Sequence, residues 1–220
     1  MFNQGFETMQ PFHKTMTIFP TLVTLLVSAT ALCAEEIMTV APVFSQIVAV
    51  PQLDGFQTTF ENANASNYIR EAVLVGQSVD NWTQMTTLTG AKGLATGGNL
   101  SDAMKTAEQL ASTYSGACPE SLSLAKLETP TIKGATATFA GYLSCGTVGG
   151  TDYSESMVFI VMVGTSDIYT IQWAEHGPAK PLPIEYSATP WAERLSKLAQ
   201  RTQICDRIAG EAAPYPSCFE

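Results

Sequence analysis

Residues 156–174 of this chain read SMVFIVMVGTSDIYTIQWA, and this stretch decides the fold. Two runs rich in β-branched and aromatic residues flank the polar segment Gly-Thr-Ser-Asp at residues 164–167, which is the pattern of a β-hairpin with a short loop. The first run, residues 157–163, is apolar at every position, whereas a strand with one solvated face would alternate. We therefore expect the hairpin to lie in the middle of a sheet that is covered on both faces.

Three further strands are expected ahead of the first helix. The runs at residues 55–60, 68–75 and 82–88 are rich in β-forming residues or alternate between polar and apolar positions, and polar turns separate them. They predict a three-stranded meander. The glycine-rich segment 90–98 is expected to be a loop, and its spacing matches neither a dinucleotide-binding loop nor a P-loop.

Two segments have the apolar spacing of helices. In the first, Asn99 or Ser101 is suited to cap the amino end, and Gly116 is suited to end the helix. In the second, Thr189 and Pro190 suit the N-cap and the first helical position. The positions that predict the two apolar faces are Ala103, Ala107, Leu110, Ala111 and Tyr114 in the first helix, and Trp191, Leu195, Leu198, Thr202 and Cys205 in the second.

The order of these elements predicts an α+β fold. With strand-like runs at residues 121–129 and 136–145, the chain reads as three strands, a helix, about four strands, a long proline-rich loop and a helix. The consistent solution is an antiparallel sheet of about six to seven strands with two main helices packed on it. Residues 55–220 are expected to form this single domain, with a disulfide-tied tail, and residues 35–54 an N-terminal arm that ends in a short strand or crosses the domain edge.

The first 34 residues have the features of an export signal. His13 and Lys14 precede an uncharged, largely apolar run, residues 15–34, which ends in small residues. We favour cleavage after Ala34, which predicts a periplasmic or secreted protein without a stable membrane span. An uncleaved anchor is the alternative, because the run is about as long as a bilayer is thick.

Four cysteines remain after such a cleavage, and an even number in an exported chain predicts disulfides. Sequence alone permits three pairings. We favour Cys118 with Cys145 and Cys205 with Cys218, because each pair joins the end of a predicted helix to a nearby segment. Four buried free thiols are the alternative.

Composition narrows the range of partners and cofactors. Asp and Glu number 20 against 11 Lys and Arg, which gives a formal net charge of −9 and disfavours nucleic acid as a partner. The sequence has no C-x-x-C pair, and only one histidine lies beyond the leader, so no metal site and no cofactor is predicted. No catalytic motif, such as the Gly-x-Ser-x-Gly nucleophile elbow, is present.

Four residues are candidates for ligand binding. His176 lies where the central hairpin leaves the sheet, and the alternative is a solvated loop histidine. Trp82, with Gln84 expected on the same face, suits a carbohydrate or peptide groove, although a tryptophan here also suits the edge of the core. Arg70, inside a strand-like run, suits either an acidic ligand or the protection of an edge strand.

The arrangement of strands and helices resembles the PsbP fold and the DcrB-like periplasmic proteins, which are small sandwiches built on an antiparallel sheet. In addition, residues 71–87, which read EAVLVGQSVDNWTQMTT, resemble a segment of uncharacterised exported proteobacterial proteins in which Asn-Trp leads into a threonine-containing strand. The PsbP resemblance implies a module that binds or assembles without catalysis. It transfers no functional residue.

The favoured interpretation is therefore an exported, non-catalytic binding or assembly module of a bacterial cell envelope, whose partner is an envelope protein or a small ligand. One alternative is a hydrolase of an envelope polymer that uses loop acids or His176. Another is a surface domain that engages a second protein through an exposed sheet edge. Acids that converge in a cleft would favour the hydrolase. A pocket lined by aromatic residues would favour the ligand-binding module, and an exposed apolar patch would favour the domain that engages a second protein.

Overall fold

The central hairpin occupies the middle of a seven-stranded antiparallel sheet. In the computed structural model, which describes residues 38–219, its two strands span Tyr153–Val163 and Ile168–Pro178. Residues 157–163 are all buried, as expected for a strand that is covered on both faces. The expected signal segment, residues 1–34, lies outside the described residues.

The described residues form two sheets and two α-helices, and neither helix is both long and apolar enough to cross a membrane. The large sheet has the strand order β3-β4-β5-β9-β8-β7-β6 and the small sheet the order β1-β2-β10, with antiparallel neighbours throughout. This confirms the α+β class. The elements are β1 (Met38–Val43), β2 (Gln46–Pro51), β3 (Phe56–Ala63), β4 (Asn67–Leu74), β5 (Gln84–Ala91), α1 (Leu100–Ala117), β6 (Leu122–Lys126), β7 (Ala137–Cys145), β8 (Tyr153–Val163), β9 (Ile168–Pro178), α2 (Ala188–Ala199) and β10 (Gln203–Asp206).

Each face of the large sheet has its own apolar core, because side chains alternate along the strands. Tyr169, Ile171 and Trp173 of β9 face the cluster that includes α2 and the small sheet, which we call the α2 face. Ile168 and Ala174 face the cluster that includes α1, which we call the α1 face. The central hairpin thus supplies both cores, as its sequence predicts.

The segment expected to be an arm is instead a complete hairpin. Strands β1 and β2 pair with each other, and β2 also pairs with β10 near the end of the chain. The apolar run at residues 47–50 is fully covered, since it is the middle strand of this small sheet. Its partner β10 is remote in sequence, so the local pattern predicted only one short strand.

The second helix is shorter than its apolar spacing predicts. It ends at Ala199, and Arg201 then takes a positive φ of 58°, which turns the chain out of the helix and into β10. Thr202 and Cys205, predicted for the helix face, therefore lie beyond the helix. Cys205 belongs to β10, and both positions continued the helical spacing by coincidence.

The turn of the central hairpin anchors the small sheet to the large one. Asp167 is 1 % exposed, and its carboxylate accepts hydrogen bonds from the Ser45 hydroxyl and backbone N–H and from the Gly93 N–H at 2.8 Å. Beside it, the Gln46 carboxamide accepts from the Thr165 N–H at 3.0 Å. Burial alone would raise the pKa of Asp167, but these hydrogen bonds outweigh it and hold the pKa below the usual range.

Helix α1 begins as its sequence predicts. The Asn99 side chain accepts a hydrogen bond from the Ser101 N–H at 2.9 Å, which caps the amino end. Ala103 and Ala107 are buried against the large sheet, where small side chains let the helix approach closely. The glycine-rich loop and the helix cap together fix how α1 crosses the sheet.

Both expected cysteine pairs lie at disulfide distance. Cys118, just after α1, is joined to Cys145 at the end of β7, with Cα atoms 5.7 Å apart. Cys205 of β10 is joined to Cys218, with Cα atoms 5.4 Å apart. The second bridge holds the carboxyl-terminal tail against the small sheet.

We expect Asp167→Asn to destabilise the protein by about 1–3 kcal/mol at neutral pH, because the weaker neutral acceptor leaves buried donors without an equal partner. Urea unfolding across a pH series measures the effect. The folded-state pKa is lowered, so the stabilisation by the wild-type carboxylate is present above the unfolded-state pKa and lost as the pH falls through the folded-state value.

Asp152→Asn is the matched control for this prediction, since Asp152 is exposed. It should leave the unfolding free energy nearly unchanged at every pH. An equal effect of the two substitutions, or a difference that grows on acidification, would contradict the role given to Asp167.

Mass spectrometry of the intact chain should show the loss of four hydrogens, two for each disulfide. Replacing Cys205 and Cys218 together by alanine should lower the unfolding free energy by about 2–4 kcal/mol, because the unfolded chain loses a cross-link. A mass that corresponds to free thiols, or an unchanged stability, would show that the bridge is not formed.

Candidate functional site

Three aromatic rings stack at one end of the central hairpin. The His176 ring lies between Trp82, whose ring centroid is 3.5 Å away, and Tyr153, whose centroid is 4.2 Å away. The three side chains are all half-buried. We call Trp82, Tyr153 and His176 the ring cluster, and it brings together two of the residues that the sequence singled out.

The backbone explains why these rings meet. Trp82 lies just before β5, and the Thr83 carbonyl accepts a hydrogen bond from the His176 N–H at 3.0 Å. The hairpin register places Glu155 opposite His176 and Tyr153 near the end of the same strand. His176 was expected either in a site or free in a solvated loop; it lies within β9, and its side chain is only 20 % exposed.

A chain of polar contacts supports the histidine. One Glu155 carboxylate oxygen is 3.2 Å from His176 Nε2, and the other accepts a hydrogen bond from the Tyr114 hydroxyl of α1. Burial, together with the charge and hydrogen bond of Glu155, raises the pKa of Tyr114, so this hydroxyl stays protonated and donates at any physiological pH. Glu155 is thereby fixed between a donor on the helix and a ring on the sheet.

The arrangement contains part of a catalytic constellation. An oriented carboxylate–histidine pair is the base half of a nucleophilic triad, and the nucleophile would have to contact the histidine. Within residues 38–219, no hydroxyl or thiol is hydrogen bonded to the His176 ring. What the cluster offers is a rigid stacked surface with a polar edge, which suits binding by stacking and hydrogen bonding.

Gln84 lies on the other face of the sheet, so the expectation that it shares a face with Trp82 is wrong. Residues 78–81 form a tight bridged turn, and β5 begins only at Gln84, after the strand-like alternation has been broken. Gln84 Oε1 accepts a hydrogen bond from Trp173 Nε1 at 3.0 Å on the α2 face. This bond fixes an indole of the core.

The α2 face holds a largely buried cation that no sequence pattern indicated. The Arg194 guanidinium of α2 lies 4.5 Å from the Trp191 ring centroid and 5.3 Å from that of Trp173, and it forms an ion pair with Glu175. Its Nη1 atom is buried and has no hydrogen-bond partner within residues 38–219. The two tryptophans and the adjacent acid were visible in the sequence, but nothing local linked them to Arg194.

Arg70 is apart from the ring cluster, and the edge-strand explanation for it is wrong. It lies on β4, which pairs with β3 on one side and β5 on the other. Its Nε donates to the Thr58 hydroxyl at 3.1 Å and lies 3.9 Å from Glu61. Arg70 lines a small hollow between the two sheets, with a volume of about 40 Å³. Sequence could not show this, because the second wall comes from the small sheet.

Part of the α1 face is a polar surface next to the ring cluster. Helix α1 packs mainly on β7 and β8, at one side of the sheet. Across β3, β4, β5 and β9, the strand register aligns one row of side chains on this face: Phe60, Glu71, Thr87 and Gln172. His176 projects from the same face of β9 as Gln172, four residues along the strand.

Glu71 is the charged member of this row. Burial raises the pKa of its carboxyl, and within the described part of the chain it has neither a hydrogen-bond nor an ion-pair partner. A half-buried acid without a partner costs folding free energy, so it suits a surface selected for contact with another molecule. Within residues 38–219, no group of three or more potential metal ligands lies together.

We expect Glu71→Gln to stabilise the isolated protein at neutral pH, by no more than about 1 kcal/mol because water still screens a half-exposed carboxylate. The folded-state pKa is raised, so ionisation costs stability above the unfolded-state pKa, and the cost reaches its full size above the folded-state value. The gain should therefore vanish below the unfolded-state pKa. Urea unfolding at neutral and acidic pH measures both.

Glu128→Gln serves as the control, since Glu128 is an exposed acid. It should change the unfolding free energy little at either pH. If Glu71→Gln destabilises the protein at neutral pH, the Glu71 carboxylate has a stabilising partner within the protein and is not available for contact with another molecule.

Comparison with known proteins finds a distant structural similarity and no sequence relative. No protein-family model matches this chain, and no curated protein sequence matches it. Among solved structures, the chain is similar to the Ran-binding protein Mog1p of Saccharomyces cerevisiae, with 11 % identity and a TM-score of 0.40 over 66 % of this chain and 79 % of that one. The likeness is a distant one between α/β folds.

Proposed function

We propose that this protein is an exported, disulfide-stabilised binding or assembly module of a bacterial cell envelope, without catalysis of its own. Its ligand or partner is bound over the ring cluster and over Glu71, Thr87 and Gln172 of the adjoining row of the large sheet. The leader-like residues 1–34 and the cysteine pairs support export. The resemblance of the sequence's element order to the PsbP fold is a further reason to propose a module without catalysis.

The ring cluster is the single observation that carries this proposal. His176 is held between Trp82 and Tyr153, and its Nε2 atom lies 3.2 Å from a Glu155 carboxylate oxygen. The ring is therefore positioned before any ligand binds. Rigid strands and a buried tyrosine hydroxyl hold it, so a ligand pays little ordering entropy on binding. Stacking on Trp82 combined with hydrogen bonds to amide and hydroxyl groups of the neighbouring row suits a polar ligand with flat apolar faces.

The test is purification of the mature protein from its own envelope under native conditions, with mass spectrometry of the intact chain and of whatever accompanies it. We expect a chain that begins at Glu35 and a reproducible ligand or partner. Trp82→Ala should reduce the retained amount at least about tenfold, since aromatic anchors carry much of the free energy of binding.

Leu94→Ala is the matched control, because Leu94 is an apolar side chain, 51 % exposed, at the opposite end of β9. It should retain the ligand fully, and thermal unfolding should show both variants folded. Equal retention by Trp82→Ala and the wild type would contradict the site. Turnover of an envelope polymer that His176→Ala abolishes would favour the hydrolase instead.

A further inference from the structure

The two outer strands of the large sheet are protected to different degrees. Strand β3 is bulged between Thr58 and Phe60, and it carries the charged Glu61 beside Arg70. Bulges and charges are the usual means of preventing strand addition. Strand β6 at the other edge pairs with β7 in unbroken register without a bulge, and its one charged residue, Lys126, lies at its end, so the strand's middle is uncharged.

Strand β6 presents free backbone groups to solvent. The Leu127 N–H donates to the Ala140 carbonyl at 3.1 Å, and the Ser121 carbonyl accepts from the Gly146 N–H at 3.0 Å. The backbone groups of the odd-numbered residues of this segment therefore point toward β7. The N–H and C=O groups of Leu122, Leu124 and Lys126 therefore point away from the sheet. Within residues 38–219, these groups have no backbone or side-chain partner.

An apolar hollow adjoins this edge on the α1 face. It lies between α1 and strands β6 and β7 and has a volume of about 200 Å³, more than the roughly 150 Å³ that suffices for a benzene ring. On the helix side, the small side chains of Ala107 and Ala111 leave room, and on the sheet side the Phe139 and Phe159 rings line the hollow. The hollow can accept a large apolar side chain.

The rim of the hollow is apolar and locally neutral. Leu124 is 53 % exposed and Met104 is 40 % exposed, so both have apolar surface to bury. Glu108 and Lys126 supply one charge of each sign. In an isologous dimer, the same surface patch of both copies meets across the two-fold axis. Each copy has a net charge of −9, so charged patches would repel each other, whereas a patch without excess charge avoids this repulsion.

We propose that a second copy of this chain pairs with the first through antiparallel β6 strands, forming a continuous sheet across a two-fold axis. Three residues of β6 face outward, and Leu124 is the middle one. A two-fold axis at Leu124 therefore places Leu124 of one copy opposite Leu124 of the other, and Leu122 of each copy opposite Lys126 of the other. The flexible Met104 and Leu124 side chains then fill the two hollows. This edge is separate from the ring cluster and does not rest on the function proposed above.

The oligomeric state tests this directly. The mature protein, with its disulfides intact, is run by sedimentation velocity and by size exclusion with light scattering over a concentration series. We expect a concentration-dependent dimer with twice the monomer mass. Leu124→Pro should abolish it, because proline removes an outward N–H that the β6–β7 ladder does not use.

Leu124→Lys is a second test that leaves the backbone unchanged, and it should also abolish the dimer by placing like charges opposite each other. Leu94→Lys, at a similarly exposed leucine, should dimerise like the wild type. Leu124→Cys, incubated with oxidised glutathione as the two-electron oxidant, should form an intermolecular disulfide, because a directly opposed pair has Cα atoms about 5.5 Å apart.

Three results would overturn the proposal. They are a monomer at every concentration, a dimer that survives both Leu124→Pro and Leu124→Lys, and a dimer in which Leu124→Cys does not cross-link. If the protein is monomeric but retains another protein that Leu124→Pro releases, the edge accepts a foreign strand and the second copy is excluded.

Discussion

The buried carboxylate of Asp167 is the interaction on which the two-sheet architecture depends. It receives donors from the turn of the N-terminal hairpin at Ser45 and from the glycine-rich loop at Gly93, while belonging itself to the turn of the central hairpin. Together with the Gln46–Thr165 hydrogen bond, this side chain positions the small sheet, and it also holds the chain on its way into α1. The hollow lined by Arg70 exists only because the small sheet is held at this position.

Local patterns predicted the elements whose partners are close in sequence. The meander, α1 and the central hairpin follow from alternation, capping and turn residues, which act over a few positions. The small sheet was not predicted, since β2 has to pair with β10 across most of the chain. Arg70 was misplaced at an edge for a related reason: a strand's position in a sheet is a property of its neighbours.

Two of the three residues of the ring cluster, Tyr153 and His176, can be placed from the sequence. Once the hairpin turn is placed at residues 164–167, antiparallel register puts Glu155 opposite His176, and Tyr153 two residues further along. The contact with Trp82 was not accessible, because it depends on how the turn before β5 folds over β9. The sequence therefore indicates Trp82 and His176 only as separate candidates, because their stacking arises from tertiary packing.

The pairing of β10 with β2 has a consequence for how the chain acquires its fold. The middle strand of the small sheet is made near the beginning of the chain, but one of its two neighbours is made almost last. Until Ile204 reaches Val48, an apolar strand has an open side and an unsatisfied edge. Contacts of such separation form slowly, so the amino-terminal hairpin is the segment most in need of protection during synthesis.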